Sequence, residues 1–285
     1  MSDVYAARAV APGIEALPLR TPTLPPATHT QAYLIGRGEL VLVEPASPYE
    51  DEIARAVAWV QGRLARGQRL RAILATHHHP DHIGGATALA ERLGAPLWAH
   101  AATAERLAGR VAFARHLEDG ELLVLDGDPP LRLRAVHTPG HAPGHLCFLD
   151  EASRALLAGD MVASEGTILV ETTDGDMAQY LDSLARLDAL APSVLLPAHG
   201  GPITDAHAKL SGYVAHRLAR EAKVLAALRA RGPCTVEALV PEAYADAPQS
   251  VWPLAALSAE AHLVKLAQEG HAERVEAGWR ARPAR

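Results

Sequence analysis

The sequence predicts an α/β fold: an αβ/βα sandwich of two mixed sheets flanked by helices, followed by a small C-terminal winged-helix-like domain. Two observations carry the first part. Short apolar runs of strand length alternate with amphipathic helical stretches, and the middle of the chain joins strands without helices between them. A purely parallel, doubly wound sheet would not do the latter. A third observation carries the second part. Past Gly232-Pro233 come three short helical stretches and a hairpin, the order of a winged helix.

The elements follow in order. Leu40-Val41-Leu42-Val43 reads as a strand, after a hairpin turn at Gly36-Arg37-Gly38. Tyr49 to Leu64 is predicted helical, with Ile53, Val57, Val60 and Leu64 on one face. Leu70 to Ala75 is a short buried strand, and Ala86 to Leu93 is helical after Gly84-Gly85. Further strands are expected at Pro96 to Ala99, Leu131 to Val136, Leu146 to Leu149, Ala155 to Ala158 and Val194 to Leu196, with a helix from Ala178 to Leu190. The longest helix runs from Asp205 to about Arg231, carries Leu210, Val214, Leu218, Leu225 and Leu228 as its stripe, and stops at Gly232-Pro233. Three short helices should follow, at Thr235 to Val240, Trp252 to Leu257 and Ala259 to Glu269, the last capped by Ser258 and Gly270. The closing hairpin spans His271 to Arg280 and turns at Ala277-Gly278. The expected division is a core over 1–204, a connecting helix over 205–232 and the winged-helix-like domain over 233–285.

Composition bounds the function. A chain of 285 residues that is 49% hydrophobic and 21% charged can bury a substantial core. With only 4% aromatic residues, that core rests on Leu, Val, Ile and Ala. A net charge of −6 supplies no global attraction to nucleic acid or to an anionic membrane. Cys147 and Cys234 form no Cys-x-x-Cys pair, which suits a reducing compartment. No apolar run reaches 18 residues, and Asp3, Arg8 and Glu15 interrupt the first twenty, so neither a membrane span nor a signal peptide is expected. The expected location is cytoplasmic.

The most informative stretch is Thr76-His77-His78-His79-Pro80-Asp81-His82, which sets four imidazoles and a carboxylate on a strand-to-helix loop. Imidazole and carboxylate are the ligands that borderline divalent metals such as zinc prefer. The plain alternative, a solvated polar loop, does not explain so dense a cluster. Three more polar groups stand at strand ends: His141 and His145 in Thr138-Pro139-Gly140-His141-Ala142-Pro143-Gly144-His145, Asp160 after Gly159, and His199 in Pro197-Ala198-His199-Gly200-Gly201. All can line one edge of the sheets.

In this order, His77-x-His79-x-Asp81-His82, Pro139-Gly140-His141, Gly159-Asp160 and His199-Gly200 resemble the metallo-β-lactamase superfamily in its dinuclear hydrolase form, over roughly Thr30 to Gly201. The resemblance implies two divalent ions, zinc first with iron and manganese as alternatives. His77, His79 and His141 would hold one and Asp81, His82 and His199 the other, with Asp160 bridging. Two such ions ~3.5–4 Å apart lower the pKa of a shared water from 15.7 toward about 7, which supplies hydroxide at neutral pH. Asp81 is the candidate to orient that water and accept a proton. His78 is read as structural, and His145 as support for a neighbouring ligand, with His141 preferred as the third ligand of the first ion. The other histidines (His29, His100, His116, His137, His207, His216, His262 and His271) have no partner pattern and are read as surface or satisfied core. Cys147, two residues from His145, is read as a buried, inert thiol.

Ser164-Glu165-Gly166-Thr167, Tyr213-Val214-Ala215-His216-Arg217 and Ala261 to Leu266 with Gly270 resemble more narrowly the lactamase-beta-like branch. That branch carries a winged-helix tail. Its mitochondrial members are endoribonucleases on single-stranded RNA, and its fungal relatives cleave polyketide thioesters. Charge argues against RNA here, since Pro233 to Arg285 holds seven acids and five bases, a net of −2. The expected activity is therefore hydrolysis of a small-molecule ester, thioester or lactone. A metal-dependent ribonuclease is the alternative; β-lactam hydrolysis and a non-enzymatic regulator stand further back. The tail is expected beside the active-site mouth or in a homodimer contact.

Overall fold

The computed structural model describes residues 5–283. It resolves into two compact units. The first takes the chain up to Thr138, then Gly144–Thr167 and Leu190–His207; the second takes Pro139–Pro143, Ile168–Ala189 and Ala208 onward.

The first unit holds two mixed sheets. The larger runs β1 (Arg8–Ala11), β2 (Ile14–Arg20), β3 (His29–Gly36), β4 (Glu39–Val43), β5 (Arg69–Leu74), β6 (Leu97–Ala99) and β7 (Arg115–His116), in that spatial order. Its first four strands pair antiparallel and the rest parallel. The smaller runs β12 (Val194–Pro197), β11 (Ala155–Gly159), β10 (Leu146–Asp150), β9 (Leu131–His137) and β8 (Leu122–Leu125), with only the β11–β12 pair parallel. Helices α1 (Glu50–Leu64), α2 (Pro80–Ile83), α3 (Ala86–Leu93) and α4 (Ala101–Arg106) lie in the crossovers of the larger sheet.

Side chains alternate across a strand, and here both faces of the larger sheet are buried. Ile14, Tyr33, Ile35, Val41, Val43 and Leu74 face Leu133, Phe148 and Leu157 of the smaller sheet. Their neighbours Leu34, Leu40, Leu42 and Ile73 pack instead on Ile53, Val60 and Leu89 of α1 and α3. Two-sided burial is why β4 and β5 read as unbroken apolar runs. The Gly36-Arg37-Gly38 turn does join β3 to β4. A Cβ on Gly36, at φ +127°, would lie 2.0 Å from the Glu39 carbonyl oxygen, so only glycine fits.

The second unit comprises α5 (Met177–Ala189), most of α6 (Ala206–Arg231), α7 (Val236–Ala243), α8 (Trp252–Gln268) and the hairpin β13 (Ala272–Val275) and β14 (Gly278–Ala281). Val224, Leu228, Leu239, Val240, Leu263, Leu266 and Trp279 form its core. Helices α7 and α8 and the wing-like hairpin form the expected winged helix, with three corrections. Trp252 to Gln268 is one helix, because Pro253 suits a first turn and nothing near Ser258 breaks the hydrogen-bond ladder. Ser258 is a buried interior residue, not a cap. The hairpin turns at Glu276-Ala277, since Val275 pairs with Gly278. Strands β1, β2, β3, β7 and β8 and helices α2 and α4 had no sequence-based prediction.

Candidate metal centre

The site of the first unit follows from strand direction. Parallel neighbours end together, so Val43 pairs with Leu74 at the ends of β4 and β5, and Gly159 with Pro197 at the ends of β11 and β12. Glu44, the His77–His82 loop, Asp160 and His199 are the residues just beyond those ends. Two hydrogen bonds tie the sheets at this edge: Leu146 N–H donates to the Thr76 carbonyl at 2.9 Å, and the Tyr33 hydroxyl to the Pro197 carbonyl at 2.7 Å.

The loop is compact because α2 starts at once. Pro80 at its first position fits a helix that needs no N–H there, and it carries Asp81 and His82 around one turn. His77 and His82 are fully buried, with ring centroids 4.0 Å apart, and His77 Nε2 lies 3.0 Å from His79 Nδ1. His78 is only half-buried.

Asp160 sits between two imidazoles. Its oxygens lie 3.4 Å from His82 Nε2 and 3.3 Å from His199 Nε2, and Asp81 Oδ2 lies 3.8 and 3.5 Å from the same two atoms. His77, His82 and Asp160 form one tight group of potential ligand atoms; Asp81, His82 and His199 form a second. Each outer ring nitrogen faces a protein oxygen. His199 Nδ1 is 3.1 Å from the His29 carbonyl oxygen, which can only accept, so this nitrogen carries the proton. His82 Nδ1 is 3.2 Å from Glu44 Oε1.

That arrangement tests whether a cation belongs here. With their outer nitrogens protonated, the neutral rings of His82 and His199 aim Nε2 lone pairs at carboxylate oxygens, which repel unless a proton or a metal ion lies between. Without metal, protons take that role. Burial pushes the His82 imidazole down, but the carboxylates of Asp160, Glu44 and Asp81 override it and hold it well above its ordinary value. His199 is raised in the same way, burial again opposing and Asp160 prevailing. Burial would raise the Asp160 carboxyl, yet His82 and His199 hold it well below the usual range. Both ring nitrogens of His82 are buried and meet no hydrogen-bond geometry, so Nδ1 faces Glu44 at ion-pair distance only. Four imidazoles and two carboxylates, oriented this way, fit divalent metal.

Two residues support the site without belonging to these groups. His145 Nε2 accepts from the Asp160 backbone N–H at 3.0 Å, so its Nδ1 carries the proton and meets Thr138 Oγ1 at 2.8 Å. Both its ring nitrogens are engaged by the protein. Glu44, which sequence reasoning missed, is 1% exposed, accepts from Thr76 Oγ1 at 2.8 Å and stands against His82. A signal was available: an acid directly closing the apolar run Leu40–Val43 is hard to justify by packing. Cys147 is a buried thiol, 3.4 Å from Thr138 Oγ1.

Beside His199 lies a cavity of about 360 Å³, lined among others by Arg8, His29, Gln31, Ser164 and Glu165. His29, read from sequence as having no partner pattern, thus faces a cavity while its carbonyl orients His199. His141 stands on the Pro139–Pro143 segment of the second unit, 7% exposed, with Nδ1 2.8 Å from the Leu169 carbonyl oxygen. It is tautomerically set like His199, with Nε2 unprotonated.

A family model described as the metallo-beta-lactamase superfamily matches residues 25–199, and one described as the beta-lactamase associated winged helix domain matches 235–279. The chain is 32% identical over 233 residues to an atrochrysone carboxyl ACP thioesterase of Aspergillus chevalieri, covering 78% of this chain and 70% of that one. It is 36% identical over 208 residues to a lactamase-like protein of Penicillium aethiopicum, and there it spans 60% of the relative's length and 70% of its own. A crystal structure of a metallo-beta-lactamase family protein from Thermus thermophilus superposes with a TM-score of 0.77 at 28% identity, over 96% of this chain and all of that one.

Proposed function

The chain belongs to the metallo-β-lactamase superfamily and is a hydrolase of that family with an associated winged-helix domain; from that premise we propose that it is a dizinc enzyme cleaving a carboxylic thioester, ester or lactone. The observation that carries this reading is Asp160 between His82 Nε2 and His199 Nε2, at 3.4 and 3.3 Å, with Asp81 reaching the same two nitrogens. In this reading His77, His79 and His141 would hold one ion and Asp81, His82 and His199 the other, with Asp160 as a shared ligand.

Bound divalent ions lower the pKa of a coordinated water to near neutrality and polarise a substrate oxygen. The residues supply the rest. Asp81, carboxylate oxygen toward the site and 15% exposed, accepts the proton released as water adds to the acyl carbon. Glu44 and the His29 carbonyl keep His82 and His199 in the tautomers that face inward. Arg8 in the adjoining cavity places positive charge beside the substrate, while His29, held below its ordinary value by burial, lines it as a neutral ring. Fully buried His77 and His82 limit water to the reacting side.

Among acyl substrates we favour thioesters, because a relative 32% identical is named a thioesterase. Two cysteines held as thiols suit the reducing cytoplasm in which we place the enzyme; no described helix is long and apolar enough to cross a membrane. The division into a core over 1–204, a connecting helix over 205–232 and a winged-helix domain over 233–285 belongs to the same proposal, with a small-molecule partner for the core and a homodimer contact as the role of the tail. Its extreme residues, 1–4 and 284–285, among them the tail base Arg285, lie outside the described residues.

The test is metal content together with turnover on a panel: an acyl thioester, a naphthyl ester, an acyl-homoserine lactone, single-stranded RNA and a cephalosporin. Two equivalents of zinc and thioester or ester turnover abolished by a chelator are expected. RNA cleavage alone, or full turnover in metal-free protein, would overturn the proposal. Iron or manganese in place of zinc would change the metal and leave the reaction class intact.

A further inference from the structure

The Tyr213-Val214-Ala215-His216-Arg217 segment has no part in the chemistry above, yet its last residue is costly to bury. Arg217 is 3% exposed in the middle of α6. Burying a guanidinium carries a large desolvation cost unless hydrogen bonds and facing groups offset it, as for any buried charge. Its Nη2 donates to the Ile168 carbonyl, and the guanidinium lies 5.4 Å from the centre of the Tyr180 ring, itself fully buried.

Each partner adjoins a group next to His141. The first route is through the backbone. Peptide planarity leaves two soft dihedrals between the Ile168 carbonyl and the next one, Leu169, so fixing the former restrains the latter. The Leu169 carbonyl is the acceptor of His141 Nδ1–H at 2.8 Å. The second route is through Tyr180. Gly140, immediately before His141, packs so tightly on α5 that a Cβ there would lie 2.2 Å from the Tyr180 nitrogen. The same loop is tied by Asp176 N–H to the Gly140 carbonyl at 2.9 Å and by Ser183 Oγ to the Pro139 carbonyl at 2.7 Å. One buried arginine therefore braces the acceptor of the His141 ring and the helix that seats its backbone.

We infer that Arg217 is a positioning residue for His141, bracing the Leu169 carbonyl and Tyr180 so that the imidazole keeps Nδ1 protonated and presents Nε2 as a ligand atom. This rests on the reading of His141 as a metal ligand. A ring without a fixed acceptor populates both tautomers and several rotations, and each wrong state must be undone before it can ligate.

The experiment measures zinc affinity by chelator competition on the full chain, together with the histidine ¹⁵N spectrum of metal-free protein. Arg217→Gln is expected to weaken one of two zinc equivalents about 10- to 100-fold and to replace a single His141 Nδ1–H tautomer by a mixture. Arg217→Lys, which keeps charge but not the planar fork, should recover part of both effects. His216→Ala, on the same helix, should bind zinc as the wild type does. Should Arg217→Gln fail to fold, Arg217→Lys and Tyr180→Leu carry the comparison, and wild-type affinity in both refutes the inference. If His141→Ala loses one equivalent while Arg217→Gln binds both normally and keeps one tautomer, the inference falls and the ligand reading stands. If His141→Ala still binds two ions at wild-type affinity, the ligand reading itself falls and takes the inference with it.

Discussion

Glutamine in place of Glu44 keeps the shape of that side chain and removes its charge. The carboxylate accepts from Thr76 Oγ1 at 2.8 Å and faces His82 Nδ1 at 3.2 Å, at 1% exposure and 0% exposure respectively. A hydrogen bond to a charged group is worth about 1.5–3 kcal/mol and a neutral one about 1, so the loss at Thr76 is roughly 1–2 kcal/mol, and the charge facing His82 Nδ1 goes with it. An amide has one accepting oxygen for two donors, and its NH₂ opposes either Thr76 or His82, which adds to that loss. At 1.4 kcal/mol per decade the expected result is a metal affinity about 10- to 100-fold weaker. Turnover should recover on raising the metal concentration, because no group that touches substrate has changed. Competition against a chromophoric chelator at fixed pH measures the affinity, and kinetics at two metal concentrations separates occupancy from chemistry. An affinity within about twofold of the wild type would refute the tautomer argument for Glu44.

Asp81→Ala should lower turnover by at least about 100-fold while one zinc equivalent stays bound, a general base being worth that much or more; near-normal rates would remove Asp81 from the mechanism. Gly159→Ala should destabilise the protein by about 2–4 kcal/mol, from left-handed strain and overpacking together. Gly159 has φ +48°, and its Cβ would lie 2.5 Å from His145 Nε2, a ring held at both nitrogens. Denaturant unfolding measures this, and a loss under about 0.5 kcal/mol would show that the ring gives way. For pH, His262 is buried on α8, and burial first, with Arg217 adding, lowers its pKa below the ordinary 6.5 despite Glu221. Its folded state thus binds a proton less readily than the unfolded chain, so this contribution to stability is complete above 6.5 and lost as pH falls below it. His262→Asn should flatten the decline in melting temperature between about pH 7 and 5; an unchanged slope would assign that decline to other groups.

Much of this was legible because the period of burial writes itself into the residues. Leu40–Val43 and Leu70–Ala75 are continuous apolar runs since both faces of their sheet are covered, and α1 announces itself by one apolar face. Strands β2 and β3 were not legible. Pro18 interrupts Ile14–Arg20, and Thr30, Gln31 and Tyr33 dilute the next run, although Thr30 and Gln31 are buried at the site edge for their polar contacts. Ser258 was misread because a capping residue and a tolerated interior serine look alike until the neighbouring turns are seen.

Local chemistry determined the class of the site. A dense set of imidazoles and carboxylates at strand ends has few uses other than metal, and it can be read without coordinates because donor type is a property of each side chain. Proximity and orientation are not such properties. Only tertiary structure decided that parallel pairs β4–β5 and β11–β12 end at one edge, that Glu44 stands behind His82, and that His145 has both nitrogens engaged. Contacts at this site reach across 32 positions for Glu44–Thr76 and 170 for His29–His199, and no periodicity of the chain encodes which carbonyl a ring nitrogen will meet.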